Sequence, residues 1–223
     1  MKESLPVFEV TDLHVRYGAM EAVKGVSFTL ARGETLGIVG ESGSGKSTIA
    51  KTLIGLEKSS AGTIINRANS VQMVFQDAVG SLNPRMTVRQ TLEEVLSHAA
   101  ARRHASSAGY LQGLGSIPEK AAKLLEIVGL SAAVLEQYPR EMSGGQCQRV
   151  SIARALACEP EVLIAHDLAV VKNVCDRVCV MQRGLFVDVG TSAEVFEHPQ
   201  SDYTKHLLAA VPDVARALAA RAP

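Results

Sequence analysis

The chain has little of what marks a membrane, secreted or polyanion-binding protein. Its 223 residues include 23 basic and 23 acidic side chains, so no net positive field is available to collect nucleic acid or anionic lipid. Four cysteines, unevenly placed, are too few for a disulfide framework, which is typical of a reducing compartment. No apolar run approaches the roughly 18 residues that cross a bilayer, and Met1 to Pro6 lacks the pattern of a secretory signal. We therefore expect a cytosolic address and no nucleic-acid partner.

The hydrophobic pattern predicts a mixed α/β chain. Apolar and polar residues alternate over 13–17 and 26–30, as in half-buried strands, and 35–39 is apolar almost throughout, as in a central parallel strand. The hydrophobicity of residues 101–116 follows neither the helix nor the strand period, which predicts a loop. Helices are predicted over 47–54, 88–96, 118–128, 147–156 and 203–211, and a further helix is capped by Asp167. A strand is predicted over 162–165, and a hairpin over 178–189 turns at Arg183-Gly184. Capping boxes are predicted at Ser143 with Gln146, before the helix over 147–156, and at Thr191 with Glu194.

A phosphate-binding pattern lies between the third strand and the first helix. Residues 40–47, Gly-Glu-Ser-Gly-Ser-Gly-Lys-Ser, match G-x-x-x-x-G-K-[ST]. Glycines let backbone amides turn toward phosphates, and the helix start adds the positive end of its dipole. Lys46 is placed to meet the β- and γ-phosphates, and the Ser47 hydroxyl to ligate Mg²⁺. The pattern predicts a nucleoside triphosphate site but leaves kinases, GTPases and ATPases open.

Three further segments indicate which class of P-loop protein this chain resembles. Met142-Ser143-Gly144-Gly145-Gln146 resembles the signature motif of ATP-binding cassette (ABC) ATPases, Val74-Phe75-Gln76-Asp77 resembles their Q-loop, and His166-Asp167-Leu168 resembles their switch-histidine segment. The resemblance implies an α/β P-loop ABC ATPase domain with a RecA-like parallel-sheet core, an antiparallel β subdomain and a helical subdomain. The implied organisation is a single domain over 1–223, with the core and antiparallel β part at 1–75 and 158–190, the helical subdomain at about 77–157 including the signature at 142–146, and a C-terminal importer-type extension at 191–223.

The same resemblance implies the site residues and two ligands, ATP and Mg²⁺. The residues implied to be catalytic are His166, as the switch residue, and Gln76. The residues implied to contact Mg²⁺ are Ser47 and Gln76. ATP contacts fall to Tyr17, by stacking on adenine, and to Gly40, Glu41, Ser42, Gly43, Ser44, Gly45, Lys46, Ser47 and Thr48; Ser143, Gly144, Gly145 and Gln146 are expected to hold the γ-phosphate of ATP bound to the opposite subunit.

Two stretches narrow the resemblance to ATP-binding subunits of oligopeptide, dipeptide and nickel importers. The Q-loop runs into Ser81-Leu82-Asn83-Pro84-Arg85-Met86-Thr87-Val88, and the chain later contains His198-Pro199, Tyr203-Thr204 and Leu207-Leu208-Ala209-Ala210-Val211-Pro212, similar to that subgroup's C-terminal motif. The implied partners are a second ABC ATPase subunit, two membrane permeases and, indirectly, an extracytoplasmic solute-binding protein. The implied location is the cytoplasmic face of the inner membrane, as a peripheral subunit.

The sequence departs from the family after the strand over 162–165. An ABC ATPase needs an aspartate for Mg²⁺ and a glutamate for the attacking water at this strand end, but here the strand runs directly into His166. On the order of 30 residues, the size of a β-α-β unit, has no counterpart. A second shortening lies between Ile64 and Val71. Either these segments are truly deleted or they are omitted from the printed chain, and omission is favoured because losing a β-α unit exposes apolar faces of a parallel core.

The missing acidic pair keeps a rival function open. The rival is a module that dimerises on ATP but does not hydrolyse it. Asp167 is a possible substitute acid, but 166–171 matches the switch segment over a longer span, so the catalytic acid stays unassigned. A soluble ABC protein of DNA repair or translation is disfavoured by the neutral charge and the importer-like C-terminal segment.

Overall fold

A computed structural model describes residues 5–74, 77–102, 111–164 and 175–210 and divides the chain into two compact units. One unit is formed by 1–67 with 167–223, and the other by 68–166. Three features predicted from the sequence lie outside the described residues: Gln76, the Ala165–His166 junction and the helix capped by Asp167. No helix in the described part of the chain is both long and apolar enough to cross a bilayer.

The first unit contains two three-stranded sheets. The elements of this unit are β1 (Phe8–Tyr17), β2 (Met20–Leu30), β3 (Leu36–Val39), α1 (Lys46–Leu53), β4 (Ala61–Asn66), β7 (Arg177–Gln182), β8 (Leu185–Thr191), α5 (Ser192–Glu197) and α6 (Asp202–Ala210). The first sheet has the order β2-β1-β4 and is antiparallel. In the second, of order β3-β7-β8, β3 runs parallel to β7 and β7 antiparallel to β8.

The second unit is mainly helical. Its elements are β5 (Val71–Met73), α2 (Val88–Arg102), α3 (Ile117–Ile127), 3-10 helices at Ala132–Glu136 and Pro139–Glu141, α4 (Gly144–Leu156) and β6 (Val162–Ile164), with β5 and β6 paired in parallel. The three α-helices share one core that includes Leu92, Leu124 and Val150, each fully buried. This apolar packing, rather than helix propensity alone, holds the unit together.

The first two strands, β1 and β2, are longer than the alternation predicts. β1 begins at Phe8, and its register shifts between Val10 and Leu13, where Asp12 has a φ of 50°. This bulge places both Val10 and Leu13 in the core, so the period of two is lost at that point. Together with Val23 and Val26 of β2, they pack on Ile49, which seats α1 on the sheet.

The prediction that the third strand is central stays a prediction, because the described residues supply only one of its partner strands. β3 pairs with β7 along Leu36–Val39 and is the edge strand of its sheet in the part of the chain that is described. The sequence also has no counterpart for the strand that the ABC resemblance places before His166.

The local turn and cap predictions are confirmed. The hairpin of β7 and β8 turns at Arg183 and Gly184, whose φ angles are 49° and 89°. Thr191 and Glu194 form the predicted capping box of α5. The interval predicted as a loop differs at both ends, because α2 continues to Arg102 and Ser116 caps α3.

All four cysteines are free thiols. Cys147 and Cys179 are buried, whereas Cys158 and Cys175 are half-buried. Burial raises the pKa of the Cys179 thiol to about 11, so this side chain stays a neutral core residue at neutral pH.

Candidate functional site

The phosphate-binding pattern forms a tight turn between β3 and α1. Gly40 has a φ of 152°, and a Cβ built there would lie 2.1 Å from the Met181 carbonyl oxygen of β7. Gly45, the N-cap of α1, has a φ of 114°, and its Cβ would lie 2.5 Å from the Ala22 carbonyl oxygen. No side chain fits at either position, because the loop backbone lies directly against β2 and β7. The loop is also tied to the hairpin turn, where the Gly184 amide donates to the Ser44 carbonyl at 2.9 Å.

Lys46 is directed back over this loop. Its Nζ donates to the Gly40 and Glu41 carbonyl oxygens, both at 2.7 Å, and to Ser44 Oγ at 3.3 Å. Burial lowers the pKa of the Lys46 ammonium below its usual value, and the Glu41 carboxylate partly opposes the shift. The loop thus holds a partly desolvated cation whose charge an incoming anion would stabilise.

These features fit a triphosphate. Gly45 has no side chain to cap α1, so the positive end of this helix is open to an anion. Ser47 and Thr48 lie in the first turn of the helix, next to the Lys46 cation, where a hydroxyl can serve as a hard oxygen ligand for Mg²⁺. The structure therefore brings residues 40–48 together in one cradle, as the sequence predicts.

Tyr17 is the last residue of β1 and belongs to the same unit. It is 39% exposed, so it is not a core residue of the β1 face. An accessible aromatic ring is what stacking on a base requires. Its role as the adenine contact stays a prediction.

The signature segment starts α4 in the second unit. Ser143 is the N-cap, with its Oγ accepting from the Gln146 amide at 3.2 Å and the Gln146 Oε1 accepting from the Ser143 amide at 2.9 Å. This is the predicted capping box, and the helix begins at Gly144, three residues before the predicted start. Ser143, Gly144 and Gly145 are all exposed, and a Cβ on either glycine would meet no atom of the described residues within 4 Å.

Two predicted residues have no described position. Gln76 and His166 both lie outside the described residues, so their roles stay predictions.

One contact with the cradle was not predicted from the sequence. The Glu41 amide donates to Tyr203 Oη of α6 at 3.1 Å, across 162 residues of chain. Local patterns carry no signal for a contact of this range.

The fold and the cradle define a P-loop nucleotide-binding protein of the cassette type. Residues 23–167 match the family model described as ABC transporter. The chain is 36% identical to the oligopeptide transport ATP-binding protein OppF of Lactococcus lactis, an alignment covering 86% of this chain and 73% of the relative, and 38% identical to OppF of Haemophilus influenzae, covering 86% and 70%. The chain belongs to the ABC transporter ATP-binding family.

Solved structures agree on the fold. The cbiO1 structure from Clostridium perfringens superimposes with a TM-score of 0.68 at 22% identity, covering 97% of this chain and all of that one. The dimeric ATP-binding cassette MJ0796, bound to ADP and Pi, gives 0.65 at 22% identity, covering 83% of this chain and 98% of that one. The α/β P-loop ABC ATPase fold is thereby confirmed.

The relatives are longer within the matched stretch. The alignment with the Lactococcus protein spans 244 residues, whereas 86% of a 223-residue chain is about 190 residues, so about 50 aligned positions have no residue of this chain. This number is large enough to include both shortenings noted in the sequence.

Proposed function

We propose that this chain is the ATP-binding and ATP-hydrolysing subunit that energises a peptide-type ABC importer. The observation that carries the proposal is the cradle of residues 40–48, with its inward-facing Lys46, in a chain whose relatives are named oligopeptide transport ATP-binding proteins. The C-terminal segment from His198 to Pro212 supports the same subgroup.

In this proposal the cradle binds the phosphates of ATP. Loop amides and the start of α1 face the phosphate oxygens, and Lys46 supplies a point charge toward the β- and γ-phosphates. Ser47 and Gln76 hold Mg²⁺, which neutralises charge on the phosphate oxygens when bound. Tyr17 stacks on the adenine.

The signature segment completes the site of a second subunit. Glycine inside a helix lowers its stability relative to alanine by about 0.5–1 kcal/mol, and Gly144 and Gly145 are the first two residues of α4. Gly144 and Gly145 have no positive φ, and no atom of the described residues lies close enough to either to require glycine. We therefore infer that the two glycines leave room for a group from outside the chain to approach the start of α4. We assign this group as the γ-phosphate of a nucleotide bound to a partner subunit.

The remaining assignments follow the subgroup. The subunit pairs with a second ATPase and docks on two membrane permeases at the cytoplasmic face of the membrane, while a solute-binding protein delivers solute on the other side. Closure of the ATPase pair on ATP drives the permeases, and hydrolysis, with His166 as the switch residue, resets them.

The experiment is uptake by proteoliposomes. The chain is reconstituted with its permeases and binding protein, and ATP-dependent accumulation of a labelled oligopeptide is measured. Uptake that requires both ATP and Lys46 is the expected result, with Lys46→Ala as the inactive control. Uptake that proceeds equally without this chain would overturn the proposal, and single-turnover hydrolysis on the same preparation separates the importer from the non-hydrolysing rival.

A further inference from the structure

One peptide group of the phosphate-binding loop is hydrogen-bonded at both ends. The carbonyl of Gly40 accepts from Lys46 Nζ at 2.7 Å, and the amide of Glu41, the other end of the same peptide group, donates to Tyr203 Oη at 3.1 Å. A trans peptide is planar, so its C=O and N–H point in opposite directions. Fixing the direction of the amide therefore fixes the direction of the carbonyl that holds Lys46.

The Tyr203 hydroxyl is itself held in place by α6. The tyrosine ring packs on a core cluster that includes Val39, the last residue of β3, and Leu207 of the same helix packs on that cluster too. The Ser201 amide, just before α6, donates to Asp188 Oδ2 of β8 at 2.9 Å. The C-terminal helix is thus anchored to the sheet, and Tyr203 extends from it to the loop.

The geometry around Lys46 indicates which of its bonds an incoming phosphate would replace. An ammonium has three N–H donors, and here two make short bonds to carbonyls while the third makes a longer bond to Ser44 Oγ at 3.3 Å. The longest bond is the weakest and the one most readily exchanged for a phosphate oxygen. The two carbonyls then keep the ammonium in place while its third donor turns to the nucleotide.

We propose that Tyr203 is a positioning residue of the nucleotide site, which orients Lys46 through the Gly40–Glu41 peptide and links the C-terminal helix to nucleotide binding. Hydrogen bonds in such a chain polarise one another, so a change at one end reaches the other. The inference rests on the nucleotide site of the proposed function but goes beyond it, because it assigns a role to the C-terminal extension.

The first test compares two tyrosine variants of the full chain. Tyr203→Phe removes the hydroxyl and keeps the ring, and Tyr138→Phe is the matched control in the other unit. We expect Tyr203→Phe to weaken ATP binding roughly two- to tenfold, the range that one net hydrogen bond supports, with Tyr138→Phe unchanged. Thermal unfolding of both variants is recorded alongside. Equal ATP affinity of Tyr203→Phe and the wild type would overturn the inference.

The second test separates positioning from a merely structural role. A single 3-fluorotyrosine is placed at position 203, and its ¹⁹F resonance is measured in the otherwise unchanged chain, with saturating MgATP, and with Lys46→Ala. The inference expects the resonance to move in both cases, because Tyr203 and Lys46 share one peptide group. A resonance that is the same with and without Lys46 would overturn it, even if Tyr203→Phe lowers affinity. A wild-type chain that does not bind ATP at all would instead overturn the proposed function, and this inference with it.

Discussion

At the scale of single residues, Lys46 is the cation on which nucleotide binding depends. Two of its donors are held by loop carbonyls, so only the third, weakly bonded to Ser44 Oγ, has to turn when a phosphate binds. A bond from an ammonium to a charged acceptor contributes more than a neutral hydrogen bond. The charge, rather than the length of the side chain, should therefore determine ATP affinity.

We expect Lys46→Ala to weaken ATP binding about 10- to 100-fold or to abolish turnover, because a charge-assisted hydrogen bond to phosphate is lost. Equilibrium binding of a fluorescent ATP analogue and phosphate release measure the two effects. Lys51→Ala is the control, since Lys51 is a half-buried lysine in the last turn of the same helix. Unchanged affinity and unchanged hydrolysis in Lys46→Ala would contradict the prediction.

Lys46 also predicts a proton linkage. Burial lowers its pKa in the free protein, so part of the population is neutral between that lowered pKa and the usual value near 10.5. A bound triphosphate favours the ammonium, so binding in this alkaline window takes up protons and ATP affinity falls as the pH rises through the lowered pKa.

Titration calorimetry in two buffers of different ionisation enthalpy measures this proton uptake. Lys46→Arg is the control, because a guanidinium stays protonated throughout the window and should show no uptake from this position. The prediction fails if Lys46→Arg takes up as many protons as the wild type.

At the scale of elements, the chain offers two matched helix starts. Ser143 caps α4 and Ser116 caps α3, each within a complete capping box and each exposed. The two starts differ in the residues after the cap, since α4 begins with two glycines and α3 with Ile117-Pro118. Substituting each cap therefore separates the structural role from the signature role.

We predict that Ser143→Arg spares nucleotide binding by the isolated subunit but blocks ATP-driven pairing, because the signature contacts ATP only across the subunit interface. Ser116→Arg should pair normally, although both variants lose a cap worth about 1 kcal/mol of unfolding free energy. Sedimentation velocity with and without ATP measures pairing, and urea unfolding measures the cap. Normal ATP-dependent dimers of Ser143→Arg would rule the prediction out.

The elements also show what the sequence can and cannot predict here. The capping boxes at Ser143 and Thr191, the hairpin turn and the loop over 40–47 were predicted because each depends on residues within a few positions of one another, whereas the capping box at Ser116 was missed. The start of β1 was missed because the bulge at Asp12 breaks the alternation on which strand prediction relies. The sequence does not predict a role for Tyr203 at the loop, because its bond to Glu41 joins distant parts of the chain.

At the scale of the whole molecule, the parallel strands form two separate pairs. Among the described residues β3 is bonded on one side by β7, and β6 on one side by β5. Parallel strands are normally covered and bonded on both sides, and open edges invite wrong pairing. Both β3 and β6 are short, with four and three residues, and each has one edge that pairs with no other strand in the described part of the chain.

The last prediction concerns the segment between Ala165 and His166. We expect the protein purified from its own cells to be heavier than the 23.7 kDa of the printed chain, because a β-α unit of about 30 residues, or ~3 kDa, would supply both the missing strand and the acidic pair. Intact mass spectrometry measures the total, and trypsin locates the difference. The printed chain has no lysine or arginine between Arg154 and Lys172, so its digest must contain one peptide over 155–172. Absence of that peptide and a larger mass would establish the inserted unit. Its presence, at 23.7 kDa, would establish a true deletion and require another residue to supply the acid for the attacking water.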